Sequence, residues 1–544
     1  DYLDPLKYFT DYSHRKILAR VRIVERELYP VLYTEKNLSL ASKETFRGMF
    51  HGLACKVLYL WYSIKDVGPW IIRTENGWKK ENKLTRAHQL LCTGIHDSGK
   101  GLFNGSFYLR VKKQSPYLPK ITKIINILTN KLLAGSKCVF FTGRSQAFYY
   151  LQKKISKSNQ NYHFIELKGA TDLKTISSSI IKLIRFMILR SKNLDLLIIP
   201  QPIKGINQTI SKLLIKIKDP VLKNVEIIIK DSLVPAVSYT EGLSKGSEGV
   251  LKRIKWMTLV AHQSRLLEGA IVSELAKNNN FQSILISHGS HPFFTNDSDR
   301  YEHKENAQGL LVSPLATVTI TQSPCAEKAA SLYMPDLPRK KFQPIMWGYK
   351  KNSLQLKQQN KVRIILHAGT TNKLNGRPWI YETSNEFVKG LKALICSVDE
   401  LKDTHLIIRV RPNLEWSVES LKKLLPISPN FTIKTTGSFL EDLKQADLLI
   451  SYSSTTIEES LYARKPVGLF GGSDRYRHLP GSSMQPNKKD RNAVYHLTKN
   501  KLSSMLDAIL ESHKDSLLSD KELEGYVWPE TVPDYEGFIP YLLK

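Results

Sequence analysis

Residues 448–460 read LLISYSSTTIEES, an apolar run followed by hydroxyl side chains and then by two glutamates. A short apolar run bounded in this way is typical of a buried strand. Serine and threonine are common residues at the start of a helix. The stretch therefore predicts a strand that ends in a polar loop and continues as a helix, which is the repeating unit of a parallel α/β sheet.

The same unit recurs on both sides of this stretch, over residues 361–515. The predicted strands lie at 362–367, 405–410, 431–434, 448–451 and 467–470. The predicted helices lie between them, near 383–397, 417–424, 439–444 and 455–463. This alternation indicates one parallel sheet covered by helices.

An earlier series of the same kind occupies residues 131–348. Its predicted strands lie at 137–142, 162–167, 194–199, 225–229, 283–287 and 317–320. Its predicted helices lie near 146–155, 173–190, 206–217 and 250–277. A polar, lysine-rich junction near residues 348–360 separates this series from the later one.

The predicted fold class is therefore α/β, with two Rossmann-like βα domains that face a cleft. A mainly helical N-terminal extension over residues 1–130 precedes them. A C-terminal tail over residues 516–544 is predicted to pack back on the body. In open sheets of this kind, ligands bind beyond the carboxyl ends of the strands.

Composition narrows the function classes. Lysine and arginine number 80 against 50 aspartate and glutamate, a net charge of +30. That charge is compatible with a lysine-rich, solvated surface or with work beside an anionic membrane on phosphate-bearing ligands. No zinc finger, RNP-like motif or arginine-rich tract occurs, so no nucleic-acid partner is expected.

The apolar runs and the cysteines point to a protein without a membrane span in a reducing compartment. No apolar run approaches the roughly eighteen residues of a membrane-spanning helix. The five cysteines are scattered and contain no CxxC pair. That pattern argues against a zinc ribbon and against a disulfide framework.

Residues 284–292 read ILISHGSHP, an apolar strand that stops at His288 and Gly289. Glycine lets a ligand approach the backbone closely, and a histidine at a strand end is well placed to act as a general base. The alternative is a histidine that only caps the strand by hydrogen bonds. Ser290 and His291 extend the loop, where Pro292 also suits a simple turn.

The hydroxyl cluster Ser453, Ser454 and Thr455 is a candidate diphosphate site. Hydroxyls and free N–H groups at a helix start bind anions. Glu458 or Glu459, one turn later, could accept hydrogen bonds from ribose hydroxyls. The alternative is an ordinary helix cap with a capping-box glutamate.

Two further strand ends carry weaker signals. Thr370 and Thr371 follow the strand at 362–367 and are candidates for phosphate binding, or for a turn. Arg409 and Arg411 alternate along the end of the strand at 405–410, so they share a face. They could neutralise a departing nucleotide diphosphate or pair with a neighbouring helix.

Several common motifs are missing or out of context. The sequence has no GxGxxG between a strand and a helix, no complete P-loop and no HExxH. The GxSxG letters at residues 242–246 follow no apolar strand. The letters DSD at residues 297–299 fit a metal motif but stand in a polar segment. We therefore expect no cofactor and no bound metal.

The order of these motifs resembles GT-B glycosyltransferases of bacterial surface-polysaccharide biosynthesis, over roughly residues 250–480. It is also similar to the CDP-glycerol glycerophosphotransferases of teichoic acid synthesis. The resemblance implies His288 as acceptor-activating base, Ser453–Thr455 on the donor diphosphate and Glu458 or Glu459 on the ribose. That second group usually has a histidine before the proline where this chain has Arg411 and Pro412, which favours sugar transfer.

The expected function is therefore inverting, metal-independent transfer from a nucleotide sugar to a saccharide or lipid-linked glycan. The donor would bind the domain at 361–515, and the acceptor would lie near Gly289, Ser290 and His291 of the domain at 131–348. The expected location is cytoplasmic, with peripheral attachment to the inner face of the plasma membrane as an option. The alternatives are a nucleotide-sugar 2-epimerase, a polyol-phosphate transferase and a non-catalytic scaffold that binds polyanions or membranes. Residues 1–130 could cap the body or dock an acceptor or a membrane.

Overall fold

The fold is taken from a computed structural model that describes most of the chain. The described residues are 11–65, 70–74, 77–81, 118–133, 137–142, 151, 162–170, 173–189, 193–251, 257–265, 267–289, 297–345, 362–369, 380, 382, 384–410 and 418–543.

The described part of the N-terminal region is mainly helical. Helices α1 (Asp11–Thr34) and α2 (Leu40–Lys65) precede a two-stranded antiparallel ribbon and helix α3 (Leu118–Leu133). The ribbon consists of β1 (Trp70–Thr74) and β2 (Gly77–Glu81). The apolar faces of α1 and α2 share one buried cluster with residues 206–237 of the following domain, so this region belongs to the body of the protein.

The first domain is built on a seven-stranded parallel sheet in the order β5-β4-β3-β6-β7-β8-β9. Its strands are β3 (Lys137–Thr142), β4 (Tyr162–Gly169), β5 (Asn193–Ile198), β6 (Met257–Ala261), β7 (Gln282–Ile286), β8 (Val318–Thr321) and β9 (Arg339–Lys341). Its helices are α4 (Leu173–Leu189), α5 (Ile206–Leu214), α6 (Pro220–Asn224), α7 (Glu226–Leu251), α8 (Leu267–Asn278), α9 (Asp297–Ala307) and α10 (Pro324–Tyr333). The strand order reverses between β3 and β6, which places the ligand-binding crevice of such a sheet there.

The second domain is built on a six-stranded parallel sheet in the order β12-β11-β10-β13-β14-β15. Its strands are β10 (Arg363–Ala368), β11 (Thr404–Arg409), β12 (Phe431–Lys434), β13 (Leu448–Ser451), β14 (Val467–Leu469) and β15 (Val494–His496). Its helices are α11 (Ser384–Asp399), α12 (Val418–Leu424), α13 (Phe439–Gln445), α14 (Thr456–Tyr462) and α15 (Leu502–Ser512). Here the order reverses between β10 and β13.

The C-terminal segment contains α16 (Asp520–Leu523) and α17 (Tyr535–Leu543). Phe538 and Leu542 of α17 are fully buried in a cluster with strands of the first sheet. The ring of Phe538 lies edge-on to that of Phe342, with centroids 5.3 Å apart. The end of the chain therefore packs against the first domain.

The predicted fold class, two parallel-sheet α/β domains with a helical N-terminal region, is confirmed. Two predicted elements in the first domain are wrong. The strand predicted at 225–229 is the start of α7, because Val225, Ile229 and Leu233 repeat at helical spacing and bury one face, while Ile227 is 73% exposed.

The second error lies in the helix predicted at 250–277, which contains strand β6 and then α8. Strand β6 lies between β3 and β7. A central parallel strand is covered on both faces, so it shows no alternation of polar and apolar residues to distinguish it from a buried helix. The helix predicted at 146–155 lies almost entirely outside the described residues.

Candidate functional site

His288 lies at the carboxyl edge of the first sheet, two residues beyond β7. Its backbone N–H donates to the carbonyl oxygen of Leu310 at 2.8 Å. Gln322, which follows the neighbouring strand β8, donates from Nε2 to the carbonyl oxygen of Ser287 at 2.6 Å. These bonds fix the backbone, while the side chain of His288 remains exposed. Gly289 follows with a φ of 84°, a conformation that favours glycine.

His262 is a second histidine at this edge, and the sequence analysis did not find it. It directly follows β6, the strand beside β7. The rings of His262 and His288 lie 6.2 Å apart between centroids, at 65° to each other. A histidine at a strand end could not be recognised there, because residues 257–261 were interpreted as part of a helix. Two imidazoles at one sheet edge are suited to accepting and relaying a proton.

The loop that supports these histidines is held by Arg265. Its Nη1 donates to the carbonyl oxygen of Glu305 at 2.5 Å, and its Nη2 lies 3.5 Å from the carboxylate of the same residue. Glu268, three residues further along the chain, accepts a hydrogen bond from the hydroxyl of Tyr239. A Cβ at Gly309 would lie 2.2 Å from the Cβ of Arg265, so glycine is needed there.

At the second sheet, polar side chains converge beyond β13 and β14. The hydroxyl of buried Tyr452 lies 3.2 Å from that of Ser473. The N–H of Gly472 donates to Oε1 of Glu382 at 2.8 Å. Burial raises the pKa of Glu382 to about 7. This carboxyl group therefore titrates near neutral pH.

Arg475 holds the next part of this edge. Its Nη2 donates to Glu386 at 2.7 Å, and its Nη1 donates to the second oxygen of the same carboxylate and to Ser473. A Cβ at Gly472 would lie 2.0 Å from the carbonyl oxygen of Glu386. Glycine at this position therefore allows the loop after β14 to pack directly on α11.

Glu458, His478 and Tyr476 form a buried hydrogen-bonded chain. Nε2 of His478 lies 3.0 Å from Oε1 of Glu458, and Nδ1 lies 3.0 Å from the hydroxyl of Tyr476. The ring of His303 on α9 stacks on the ring of Tyr476, with centroids 5.5 Å apart and planes 15° apart. Since His303 belongs to the first domain, this stack joins the regions beyond the carboxyl ends of the two sheets.

The predicted hydroxyl cluster lies beside this chain. Ser453 is buried, whereas Ser454, Thr455 and Glu459 are half-buried. Ser454 Oγ accepts from the N–H of Thr456 at 3.3 Å. Thr455 makes no side-chain hydrogen bond to the start of α14, so the capping box that was the alternative is not formed there. The cluster borders the reversal of strand order between β10 and β13.

Arg409 pairs with the neighbouring helix α13, which was the alternative to contact with a nucleotide diphosphate. Its guanidinium pairs with Asp442 and donates to the carbonyl oxygen of Gly437 at 2.6 Å. Asp442 also accepts from Lys434 at 2.7 Å. Thr370, Thr371, Arg411, Ser290 and His291 lie outside the described residues.

His367, near the end of β10, is a further residue that the sequence analysis missed. Burial lowers its pKa to about 4, so the ring is neutral near pH 7. Its Nδ1 has no hydrogen-bond partner within the part of the chain that the structure describes. The ring lies beside Gly369, where a Cβ would be 3.4 Å from Cε1. A buried, neutral imidazole thus lies beside Gly369 at the carboxyl end of β10.

Comparison with known proteins gives similar structures but no sequence relatives. No family model and no curated protein matches the chain. The chain is similar to the glycosyltransferase from Rickettsia africae, with 13% identity over 75% of this chain and 97% of that one, at a TM-score of 0.40. It is similar to the UDP-GlcNAc 2-epimerase from Neisseria meningitidis bound to UDP-GlcNAc, with 11% identity over 75% and 99%, at 0.38. It is also similar to the wall teichoic acid polymerase TagF, with 12% identity over 78% and 93%, at 0.38.

Among the described helices, none has the length and hydrophobicity that a bilayer crossing requires.

Proposed function

We propose that the protein is a GT-B glycosyltransferase that moves a sugar from a nucleotide-sugar donor to a saccharide or lipid-linked glycan of a bacterial surface polysaccharide. One observation carries the proposal. The His303–Tyr476 stack joins the two domains beyond their strand ends, with His262 and His288 on one side and the 452–459 and 471–478 loops on the other. A two-substrate transfer needs such a pair of facing sites.

The donor is assigned to the second domain, at its reversal of strand order. The hydroxyls of Ser453, Ser454 and Thr455, with Thr370, Thr371 and Arg411, would contact the diphosphate. Glu459 is the better candidate for the ribose, because it is half-buried while Glu458 is buried against His478. Glu458 would instead position Tyr476 through His478.

The acceptor is assigned to the first domain, beside Gly289, Ser290 and His291. His288 would take the proton from the acceptor hydroxyl as the oxygen attacks the anomeric carbon. The bond from that carbon to the donor phosphate breaks, and the nucleotide diphosphate leaves with the electron pair. This direct displacement inverts the anomeric configuration, and neither a metal ion nor a cofactor is required in the scheme.

A thermal-shift panel tests the donor site. UDP, GDP, CMP, CDP and ADP would be compared on the wild type, Glu459→Ala and Glu441→Ala, the last being an exposed glutamate on the neighbouring helix α13. A nucleotide present at about 100 times its Kd stabilises the folded state by about 2.7 kcal/mol. We expect one nucleotide to raise the melting temperature, with the shift reduced only in Glu459→Ala. No shift with any nucleotide at millimolar concentration would favour a non-catalytic scaffold.

Turnover separates the enzymatic alternatives. A 2-epimerase converts its nucleotide sugar without an acceptor, whereas a transferase releases nucleotide diphosphate only as product accumulates on the glycan. A polyol-phosphate transferase would release CMP from a CDP-polyol. Release of nucleotide diphosphate that depends on an added glycan is the result we expect.

The location assigned to the protein is the cytoplasmic face of a membrane, with attachment through the α3–α4 surface. Exposed apolar side chains on these packed helices include Ile124 (59% exposed), Ile188 (72%) and Leu189 (70%). Neither helix contains an aspartate or glutamate, and Lys120, Lys123, Lys131, Lys174 and Arg185 add positive charge. Apolar side chains among basic ones match an anionic lipid surface.

Vesicle co-sedimentation tests this surface. The wild type should bind vesicles that contain phosphatidylglycerol more strongly than vesicles of phosphatidylcholine alone, and Ile188→Glu should weaken that binding. Replacement of Ile427, an exposed residue of the second domain, by Glu is the matched control. Equal binding by both variants would contradict the assignment.

A further inference from the structure

Three helices of the N-terminal half, α1, α2 and α9, converge on a buried cluster of polar side chains. His51 and Cys55 lie one turn apart on α2, and Glu302 lies on α9. These residues are 1%, 8% and 3% exposed. One donor atom from each, an imidazole nitrogen, a thiol sulfur and a carboxylate oxygen, lies within 4.8 Å of the other two.

The distances are close to those of a metal site. Nε2 of His51 lies 3.7 Å from Sγ of Cys55 and 2.8 Å from Oε2 of Glu302. In a tetrahedral zinc site with Zn–N and Zn–O of about 2.0 Å and Zn–S of about 2.3 Å, the nitrogen lies about 3.5 Å from the sulfur and about 3.3 Å from the oxygen. Accommodation of an ion therefore needs the carboxylate to withdraw by roughly 0.5 Å.

The other nitrogen of His51 is held as it is in many metal sites. Nδ1 lies 3.0 Å from Oε1 of Glu25 on α1. Glu25 also accepts hydrogen bonds from the hydroxyls of Tyr29 and Tyr301. A carboxylate on Nδ1 fixes the tautomer that directs the lone pair of Nε2 to a metal, and it makes the ring a better ligand.

We propose that His51, Cys55 and Glu302 bind a zinc ion that ties the N-terminal helices to α9. The donor set combines sulfur, nitrogen and oxygen, which zinc accepts together. The thiolate of Cys55 and the carboxylate of Glu302 balance the two charges of the ion, and binding releases the thiol proton to solvent. Because His303 follows Glu302 in α9, the ion also steadies the residue that stacks on Tyr476.

Metal content of the purified full-length protein tests the site directly. After incubation with zinc and desalting, we expect about one zinc ion per chain. Cys55→Ser should lose the ion, whereas Cys325→Ser, another buried cysteine of the first domain, should keep it. Glu25→Gln should keep the ligands but weaken zinc binding by about tenfold.

If Cys55→Ser fails to fold, cobalt(II) in place of zinc tests the thiolate ligand in protein that retains Cys55. Cobalt(II) bound by a thiolate gives a charge-transfer band in the near ultraviolet. A variant that combines Cys92→Ser, Cys138→Ser, Cys325→Ser and Cys396→Ser retains Cys55 as its one cysteine and should still show that band. A folded wild type that binds no zinc and shows no such band, or zinc content unchanged in a folded Cys55→Ser variant, would overturn the proposal.

Discussion

The carboxyl edges of the two sheets hold their polar groups in different ways. At the first sheet, His288 is exposed, and hydrogen bonds to Leu310 and, through Ser287, to Gln322 fix its backbone. At the second sheet, Glu458 and His478 are buried and paired with each other. The first edge thus presents groups that can exchange protons, and the second presents a rigid frame.

This difference fits a division of labour between acceptor activation and donor binding. A proton acceptor must be reached by its substrate, so exposure suits His288. A site that orients a diphosphate gains from groups already locked by neighbouring hydrogen bonds, since less ordering is needed on binding. Substitutions at the first edge should therefore lower the turnover rate, and substitutions at the second edge should lower the free energy of unfolding.

The largest expected effect is on turnover, in His288→Ala. Loss of a general base should lower kcat by about 10²–10⁴-fold, with nucleotide binding unchanged because the proposed donor site lies in the other domain. Steady-state assays and the thermal-shift panel measure the two quantities. His405→Ala removes a histidine from the opposite end of a strand in the second domain and is the control.

His262→Ala completes this test, because the two rings are neighbours. A smaller loss than in His288→Ala is expected if His262 only supports the base. If His262→Ala abolishes turnover while His288→Ala retains it, the base assignment is wrong.

Arg475→Met should give the largest loss of stability at the second edge. The substitution removes the two-pronged partner of the Glu386 carboxylate. Breaking a fully buried ion pair costs about 3–5 kcal/mol, and because Glu386 is 18% exposed we expect a loss at the lower end of that range. Urea unfolding measures the loss. Arg477→Met is a close control, because Arg477 pairs with Asp474, which is 68% exposed, and exposed pairs contribute only about 0–1 kcal/mol. Equal losses in the two variants would mean that the edge is not a rigid frame.

The sequence was more informative about the second domain than about the first. Strands 431–434 and 448–451 lie at their predicted bounds, because turn residues and amphipathic helices flank each short apolar run. In the first domain, residues 225–229 and 257–261 were assigned the wrong element type, since a short buried run has no periodicity that separates strand from helix.

The site was only partly accessible from the sequence for a related reason. His288 and Glu458 were singled out because each follows a recognisable strand. The role of such residues depends on partners from other elements of the fold. Glu458 is paired with His478, and His303 is stacked on Tyr476. A single sequence contains no signal for contacts of this kind, so it offered Glu458 and Glu459 as equal candidates for the ribose, and only the structure shows that Glu458 is buried against a histidine.

The pH dependence of stability gives another test of the second edge, through Glu382. Burial raises its pKa from 4.5 to about 7. A raised carboxyl pKa contributes stability that is fully present below pH 4.5 and is lost as pH rises through about 7. The change is of order 3 kcal/mol at 1.36 kcal/mol per pKa unit.

Glu382→Gln should remove this dependence, because glutamine stays neutral and its Oε1 can still accept from Gly472. Unfolding free energies at pH 5.5 and pH 8 should therefore differ less in the variant than in the wild type. Glu441→Gln, at an exposed position, should keep the wild-type difference. An unchanged pH difference in Glu382→Gln would mean that Glu382 is ionised throughout this range.

The smallest expected effect concerns the stack that joins the two edges. A double-mutant cycle of His303→Leu and Tyr476→Leu isolates the ring contact from the hydrogen bond between Tyr476 and His478, because that bond is lost equally with and without His303. Stacked aromatic pairs contribute about 0.5–1.5 kcal/mol beyond their buried area. The coupling free energy from urea unfolding should fall in that range. As a control, the effects of His303→Leu and Phe387→Leu should be additive within about 0.5 kcal/mol, because Phe387 lies in the core beside His367.

Zero coupling between His303 and Tyr476 would mean that the ring contact between the two domains contributes no stability, so the rigid frame would comprise the second domain alone. A coupling in the expected range that rises when the stabilising nucleotide is present would show that donor binding tightens the contact with the domain that carries His288.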